Sequence, residues 1–177
     1  MTNEEICLIS NYRIMIAGST DFIDNIKTEL YKFGFKSTSI VSSTNWNPDT
    51  VSVDMIIEYM SDSKYCLKDN ISIPIIYPFD FVDGAGAIVI KLDDKNELHH
   101  KSDIRFWAAE YIAGYCAFWN IEGCEWLYSV LSEIKEGKTC EKALKTAAHI
   151  CARIVVNIAV KREVKLFPKF YLCRNLD

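Results

Sequence analysis

The sequence predicts an α/β fold: a Rossmann-like parallel or mixed sheet of about five strands, flanked by helices. Two observations predict it. Residues 13–17 read as an apolar strand that passes through Gly18 into an amphipathic helix over 20–33, which is how nucleotide-binding α/β domains begin. Residues 53–59 are almost continuously apolar, as expected for a strand buried on both faces of a parallel sheet.

The first half of the chain predicts two helical segments and five strands. Residues 1–12 favour a short helix or arm, and the helix over 20–33 is expected to end at Gly34. The last two strands follow each other so closely that we expect an antiparallel or mixed edge. The strands are predicted over residues 13–17, 35–41, 53–59, 71–77 and 87–92.

The chain becomes helical after residue 102. The first helix of this part is apolar on almost every side, so we expect it to be buried on two sides. An extended segment over 164–173 follows the helices and closes the fold. The helices are predicted from Ser102 or Asp103 to about 120, over 123–136 with Gly137 as the end, and over 139–160 with Thr139 as the cap.

The whole chain is expected to form a single domain over 1–177. Within it, residues 1–101 form the Rossmann-like α/β part, and residues 102–177 form a helical part with the closing strand. A length of 177 residues and an apolar content of 50% are enough for one sizeable core.

Composition and charge argue against several classes of function. The net charge is −4 and no basic stripe alternates with aromatic residues, which argues against a nucleic-acid partner. No uninterrupted apolar run is long enough to span a membrane, and we expect no secretion signal at the N-terminus. The seven cysteines are scattered without a C-x-x-C pair. Free thiols in a reducing compartment, and therefore a cytoplasmic protein, are expected.

The turn after the first strand is the first candidate binding site. Gly18, Ser19 and Thr20 can hold an anion at the N-terminus of the next helix. The alternative is a plain helix cap, which Asp21 favours because its carboxylate occupies the same positive end of the helix. The phosphate-holding pattern G-x-G-x-x-G is missing, since residues 17–22 read AGSTDF.

The long helix after residue 102 is rich in aromatic residues. Packing against the sheet explains some of them, and the others can line a pocket or an interface. We therefore expect a partner protein or a homo-oligomer, for which a two-fold dimer is the commonest form. The residues concerned are Trp107, Tyr111, Tyr115, Phe118 and Trp119.

Three phrases of the sequence occur in the order of a known family. They are RIMIAG at 13–18, VDMIIE at 53–58, and IPII at 73–76 followed by DGAGAIVI at 83–90. Together they resemble the ThiF and ubiquitin-activating-enzyme family of nucleotide-binding domains. The resemblance covers roughly residues 13–92, and more loosely the last helix and strand.

The resemblance implies an ATP-binding domain that adenylates the C-terminus of a small protein or a similar carboxylate. This chain departs from the family at several functional positions. The ribose-binding acid has no counterpart in SSTNW at 42–46, and Asp62 is the nearest match to the magnesium-binding aspartate. The zinc-binding cysteine pairs and the catalytic cysteine have no counterpart either. The chain thus looks like a reduced member that has lost adenylation and acts as a binding or partner subunit.

A second function stays open. A small enzyme would bind a nucleotide or another anionic ligand in the crevice at the C-terminal ends of the strands, where open α/β sheets bind ligands. ATP or a dinucleotide would be its cofactor, although the motifs for them are absent. No catalytic residue and no metal site is predicted. The ligand-binding candidates are Gly18, Ser19, Thr20, Asp62, Asp80 and Gly84.

Overall fold

The computed structural model describes residues 1–41, 52–59, 73–91 and 103–174, and its fold is α/β, as predicted. The described residues form five helices and six strands. The helices are α1 (Asn3–Asn11), α2 (Thr20–Phe33), α3 (Ile104–Phe118), α4 (Trp126–Lys135) and α5 (Glu141–Ala159). The strands are β1 (Arg13–Gly18), β2 (Ser37–Val41), β3 (Met55–Tyr59), β4 (Ile75–Asp80), β5 (Ala85–Ile90) and β6 (Tyr171–Cys173).

The strands form one mixed sheet in the order β2-β1-β3-β4-β5-β6. The first four in this order run parallel to one another, and β5 and β6 each run antiparallel to their neighbour. This confirms the mixed edge predicted from the spacing of the strands. The closing strand is β6, which pairs with β5 from Ala85 to Ala87.

The fourth strand lies later in the chain than predicted. It was expected over 71–77, yet β4 continues to Asp80 and contains Pro78. A proline is tolerated there because the ladder with β3 reaches only Ile76, so that Pro78 lies beyond it. The turn between β4 and β5 is correspondingly shorter than the loop expected over 79–86.

The sheet separates two apolar clusters, which makes the fold a three-layer sandwich. Neighbouring residues of β1 enter opposite clusters, with Ile14 and Ile16 on one side and Met15 on the other. α1, α2 and α5 cover the face of Ile14, and α3 and α4 cover the face of Met15. The helices that follow residue 102 therefore pack on both faces of the sheet.

Two predicted helix ends are confirmed by their geometry. α2 ends at Gly34, whose φ of 95° lies in the left-handed region, and α3 begins after Asp103, whose side chain accepts a hydrogen bond from the N–H of Phe106. None of the helices in the described ranges is long and apolar enough to cross a membrane.

Candidate ligand-binding crevice

A cavity of about 1130 Å³ lies at the carboxyl ends of the parallel strands. The ends of β1, β3 and β4 form its floor through Gly18, Glu58, Tyr59 and Phe79. The first turns of α2, α3 and α5 form its walls. In the sheet, β2 lies on one side of β1 and β3 lies on the other, so the strand order reverses at β1. The cavity lies at this reversal, which is the usual ligand position in open α/β sheets.

Two of the predicted ligand-binding residues, Gly18 and Ser19, line this crevice, and Thr20 follows them in the chain. A Cβ at Gly18 would lie 2.7 Å from the carbonyl oxygen of Tyr59, so the close approach of β1 and β3 already requires a glycine. The Ser19 hydroxyl accepts a hydrogen bond from the N–H of Phe22 at 3.4 Å. The turn thus serves strand packing and helix capping.

Asp80 does not line the crevice, and its carboxylate instead binds the backbone of neighbouring segments. Its carboxylate accepts hydrogen bonds from the backbone N–H groups of Val82 at 2.7 Å and Cys140 at 2.8 Å. The Arg105 guanidinium lies 3.6 Å from the same carboxylate and also donates to the Asp80 carbonyl. A carboxylate from β4 therefore binds the backbone N–H of Cys140, the N-cap residue of α5. The sequence predicts Thr139 as the cap of this helix, whereas the structure places the cap at Cys140, whose own side chain makes no capping hydrogen bond.

Gly84 lies in the turn between β4 and β5 and is not among the residues that line the crevice. A Cβ at this position would overlap the ring of Trp126 and lie 2.7 Å from the carbonyl oxygen of Cys173. Asp62 and the 42–46 segment lie outside the described residues. Of the six candidates, the structure thus places Gly18 and Ser19 in the lining of the crevice, and Thr20 follows them in the chain without lining it.

The crevice is lined by more acidic than basic side chains, which the sequence did not indicate. Both cations are engaged: Lys145 binds Glu141 at 2.6 Å, and Arg105 binds Asp80 and the carbonyl of Lys138. Glu58, on the floor, is only 1% exposed. The lining carboxylates are those of Asp21, Asp24, Glu58, Asp103 and Glu141.

Three helix N-termini also face the crevice, and their positive partial charges oppose the negative charges of these carboxylates. Each N-terminus carries about +0.5 of an elementary charge, so α2, α3 and α5 together supply roughly +1.5. Among the described lining residues, five carboxyl groups face two cations, and even with the buried Glu58 neutral the other four exceed the cations by two charges. In the part of the lining that the structure describes, the acidic side chains therefore outweigh the helix dipoles and leave a negative balance.

Tyr59 and Phe79 add aromatic surface to the crevice. The Tyr59 ring stacks on Phe22, with 4.4 Å between the ring centroids and 14° between the planes. Burial, with a smaller contribution from the charge of Asp80, raises the pKa of Tyr59 to about 12. Its phenol is therefore neutral at physiological pH and can take part in hydrogen bonds without adding charge.

Sequence reasoning missed Glu58 and Arg105, although each leaves a trace in the sequence. Glu58 is the one acid in the apolar core of β3, and Arg105 is the one cation in α3. A charged residue inside such a segment is costly to bury without a specific role. Within the described ranges, no three His, Cys, Asp or Glu side chains gather as metal ligands.

Comparisons of the chain with models of protein families, with curated proteins and with solved structures give no match. Membership of the ThiF-like family therefore stays a prediction from the three phrases of sequence. The charge and shape of the crevice become the main guide to function.

Proposed function

We propose that this chain is a binding domain on a nucleotide-domain scaffold that does not adenylate, and that its crevice accepts a small organic cation. It would then be the reduced ThiF-like binding subunit that the sequence resembles. The observation that carries the proposal is the negative balance of the crevice lining. Clefts with low-dielectric walls concentrate the potential of their charges and raise the local concentration of ligands of opposite sign.

The same charges disfavour a polyphosphate. A nucleotide bound as in other open α/β sheets would place its phosphates at the start of α2, beside Asp21 and Asp24. Within the described residues, no cation lies within ion-pair distance of either carboxylate. Like charges in a partly desolvated cleft repel each other more strongly than in water.

The lining also fits an organic cation in its details. Glu58 places a carboxyl group on the buried floor, where a charge-assisted hydrogen bond from an ammonium group is stronger than in water. Tyr59 and Phe79 offer ring surface to the rest of such a ligand, and cation–π contacts add to the attraction. Asp21 and Asp24 lie nearer to solvent and would attract the cation towards the crevice.

Calorimetric titration with two groups of compounds tests the proposal. Spermidine, putrescine and choline represent organic cations, and ATP, AMP, NAD and FAD represent nucleotides. We expect at least one of the cations to bind and the nucleotides not to bind. A cation at a hundred times its Kd should also add about 2.7 kcal/mol to the free energy of unfolding.

Two variants locate the binding. Asp21→Asn removes an exposed charge of the crevice, and Glu58→Gln removes the buried carboxyl group at nearly constant shape. Each should weaken cation binding by about tenfold, whereas Glu163→Gln, an exposed acid outside the crevice, should leave it unchanged. Nucleotide binding without cation binding, or cation binding that is indifferent to both crevice variants, would contradict the proposal.

The second candidate is the small enzyme that binds a nucleotide or another anion in the same crevice. The convergence of three helix N-termini on the cavity favours it. The same titration separates the two candidates, because nucleotide binding that Asp21→Asn strengthens would support the second.

A further inference from the structure

The acidic groups of the crevice lie at two depths. The carboxyl group of Glu58 is on the buried floor, whereas Asp21 and Asp24 line the same cavity from the first two turns of α2 and are exposed. Asp21 and Asp24 are three positions apart, so their side chains are neighbours on one face of the helix. The chain from Ala17, the partner of Glu58 in the sheet, to Asp21 spans at most about 14 Å. One small linear ligand can therefore extend from the inner acidic position towards the outer one.

Apolar side chains line the same cavity. They come from the end of β4 and from α3, α4 and α5, so they face the cavity from several sides. Methylene groups are stabilised when they leave water for such a surface. A ligand whose charged ends are joined by an alkyl chain matches this lining better than a compact cation does. The residues concerned are Pro78, Phe79, Ile104, Ile134 and Leu144.

The two aromatic rings of the described lining each have one face covered by another ring. Tyr59 stacks on Phe22, and Phe79 stacks on Phe81 with 5.5 Å between the centroids and 15° between the planes. Sites for quaternary ammonium groups surround the cation with several ring faces, which this lining does not offer. A carboxyl group such as that of Glu58 accepts hydrogen bonds instead. A primary ammonium group donates such bonds, and a quaternary one has no N–H to donate.

We propose that the ligand of the crevice is a linear aliphatic diamine or polyamine, with one primary ammonium group at Glu58 and a second at Asp21 and Asp24. This inference rests on the proposed function, because it names the class of organic cation that the crevice accepts. The alkyl chain between the two groups lies along the apolar lining. A free amino acid such as lysine is a poorer ligand, because its carboxylate meets the acidic groups of the crevice.

Calorimetric titration of the full chain with matched ligands tests the inference. Cadaverine carries a primary ammonium group at each end of its alkyl chain, and spermidine is a longer polyamine. Pentylamine lacks the second ammonium group of cadaverine, pentamethonium carries trimethylammonium groups in place of both, and L-lysine adds a carboxylate. We expect the tighter of cadaverine and spermidine to bind at least about tenfold more tightly than each of these three.

The outcomes separate this inference from the proposed function. Equal binding of pentylamine, pentamethonium or L-lysine would overturn the inference. Binding of choline without binding of any primary amine would also overturn it and leave the proposed function intact. A chain that binds no organic cation would refute both.

Two variants assign the ends of the ligand. Asp24→Asn should weaken cadaverine binding by about tenfold and pentylamine binding by less than about twofold, because the single ammonium group of pentylamine binds at the floor. Glu58→Gln should weaken the binding of both ligands. Asp83→Asn and Glu163→Gln are the matched controls, exposed acids outside the lining, and should weaken neither. Equal weakening of the two ligands by Asp24→Asn would refute the outer position.

Discussion

The carboxylate of Asp80, the last residue of β4, accepts a hydrogen bond from the backbone N–H of Cys140 at 2.8 Å. Sixty positions of sequence separate the two residues. The bond fixes the first turn of α5 above the end of the sheet, and Arg105 holds the same carboxylate from α3. One buried side chain thus positions two of the three helices that wall the crevice.

Removing this carboxylate should be costly. Asp80→Ala leaves the N–H groups of Val82 and Cys140 without their acceptor and the charge of Arg105 without its partner. We expect the free energy of unfolding to fall by about 3 kcal/mol, as measured by urea denaturation. Asp83→Ala, in the exposed turn that follows, should change it by less than about 0.5 kcal/mol. Equal effects would show that Asp80 has no special structural role.

Substitution by alanine should have opposite effects on the stability of the fold at two glycines. Gly84→Ala would place a methyl group against the Trp126 ring and the carbonyl of Cys173, so we expect a loss of about 2 kcal/mol. Gly114→Ala adds a methyl group on α3 that touches nothing beyond its own helix turn within 4 Å among the described residues, and should stabilise the chain by roughly 0.5–1 kcal/mol. Thermal unfolding of both variants measures the difference, and a harmless Gly84→Ala would contradict the packing against Trp126.

Because of the ion pair between Arg13 and Asp54, the free energy of unfolding should depend on pH in the acidic range. Hydrogen bonds from Arg13, the shortest at 2.8 Å, lower the pKa of Asp54 below the ordinary value of an aspartate side chain. A lowered folded-state pKa adds stability above the pKa of the unfolded chain, and this is lost as the pH falls through the folded-state value. Asp54→Asn should therefore be slightly less stable than the wild type at pH 7, and this difference should shrink as the pH falls towards the folded-state pKa of Asp54, as measured by urea denaturation. A difference that persists at low pH would count against the pair.

Because of Tyr59, the free energy of unfolding should also depend on pH in the alkaline range. Burial raises its pKa from 10.0 to about 12, so the unfolded chain loses this proton first as the pH rises. The free energy of unfolding should therefore fall between pH 10 and pH 12. In Tyr59→Phe, which keeps the stacking on Phe22, that fall should be smaller. Denaturant titrations at several pH values measure it, and identical slopes for both chains would contradict the burial of the phenol.

Local patterns were sufficient for the fold. The apolar run of β3 predicted a buried parallel strand, Gly34 predicted the end of α2, and Ser102 or Asp103 predicted the start of α3, which the structure places after Asp103. Each of these signals acts within a few residues of the element that it defines. Element order and sheet class therefore follow from short-range physics.

The crevice depends on contacts that are distant in sequence. No pattern near Cys140 shows that Asp80 begins α5, and no pattern near Gly84 shows that Trp126 packs against it. The glycine turn was predicted from its sequence alone, whereas the acidic lining arises only when Glu58 and Glu141 meet in space. Charge balance at a site is thus a tertiary property.

The position of α5 has a consequence for synthesis on the ribosome. This helix packs against α2 and against β4 and β5, yet it spans Glu141–Ala159 and emerges long after them. Until this helix emerges, its part of the apolar face of β4 and β5 has no cover, so we expect chaperones to bind nascent chains that end before residue 141.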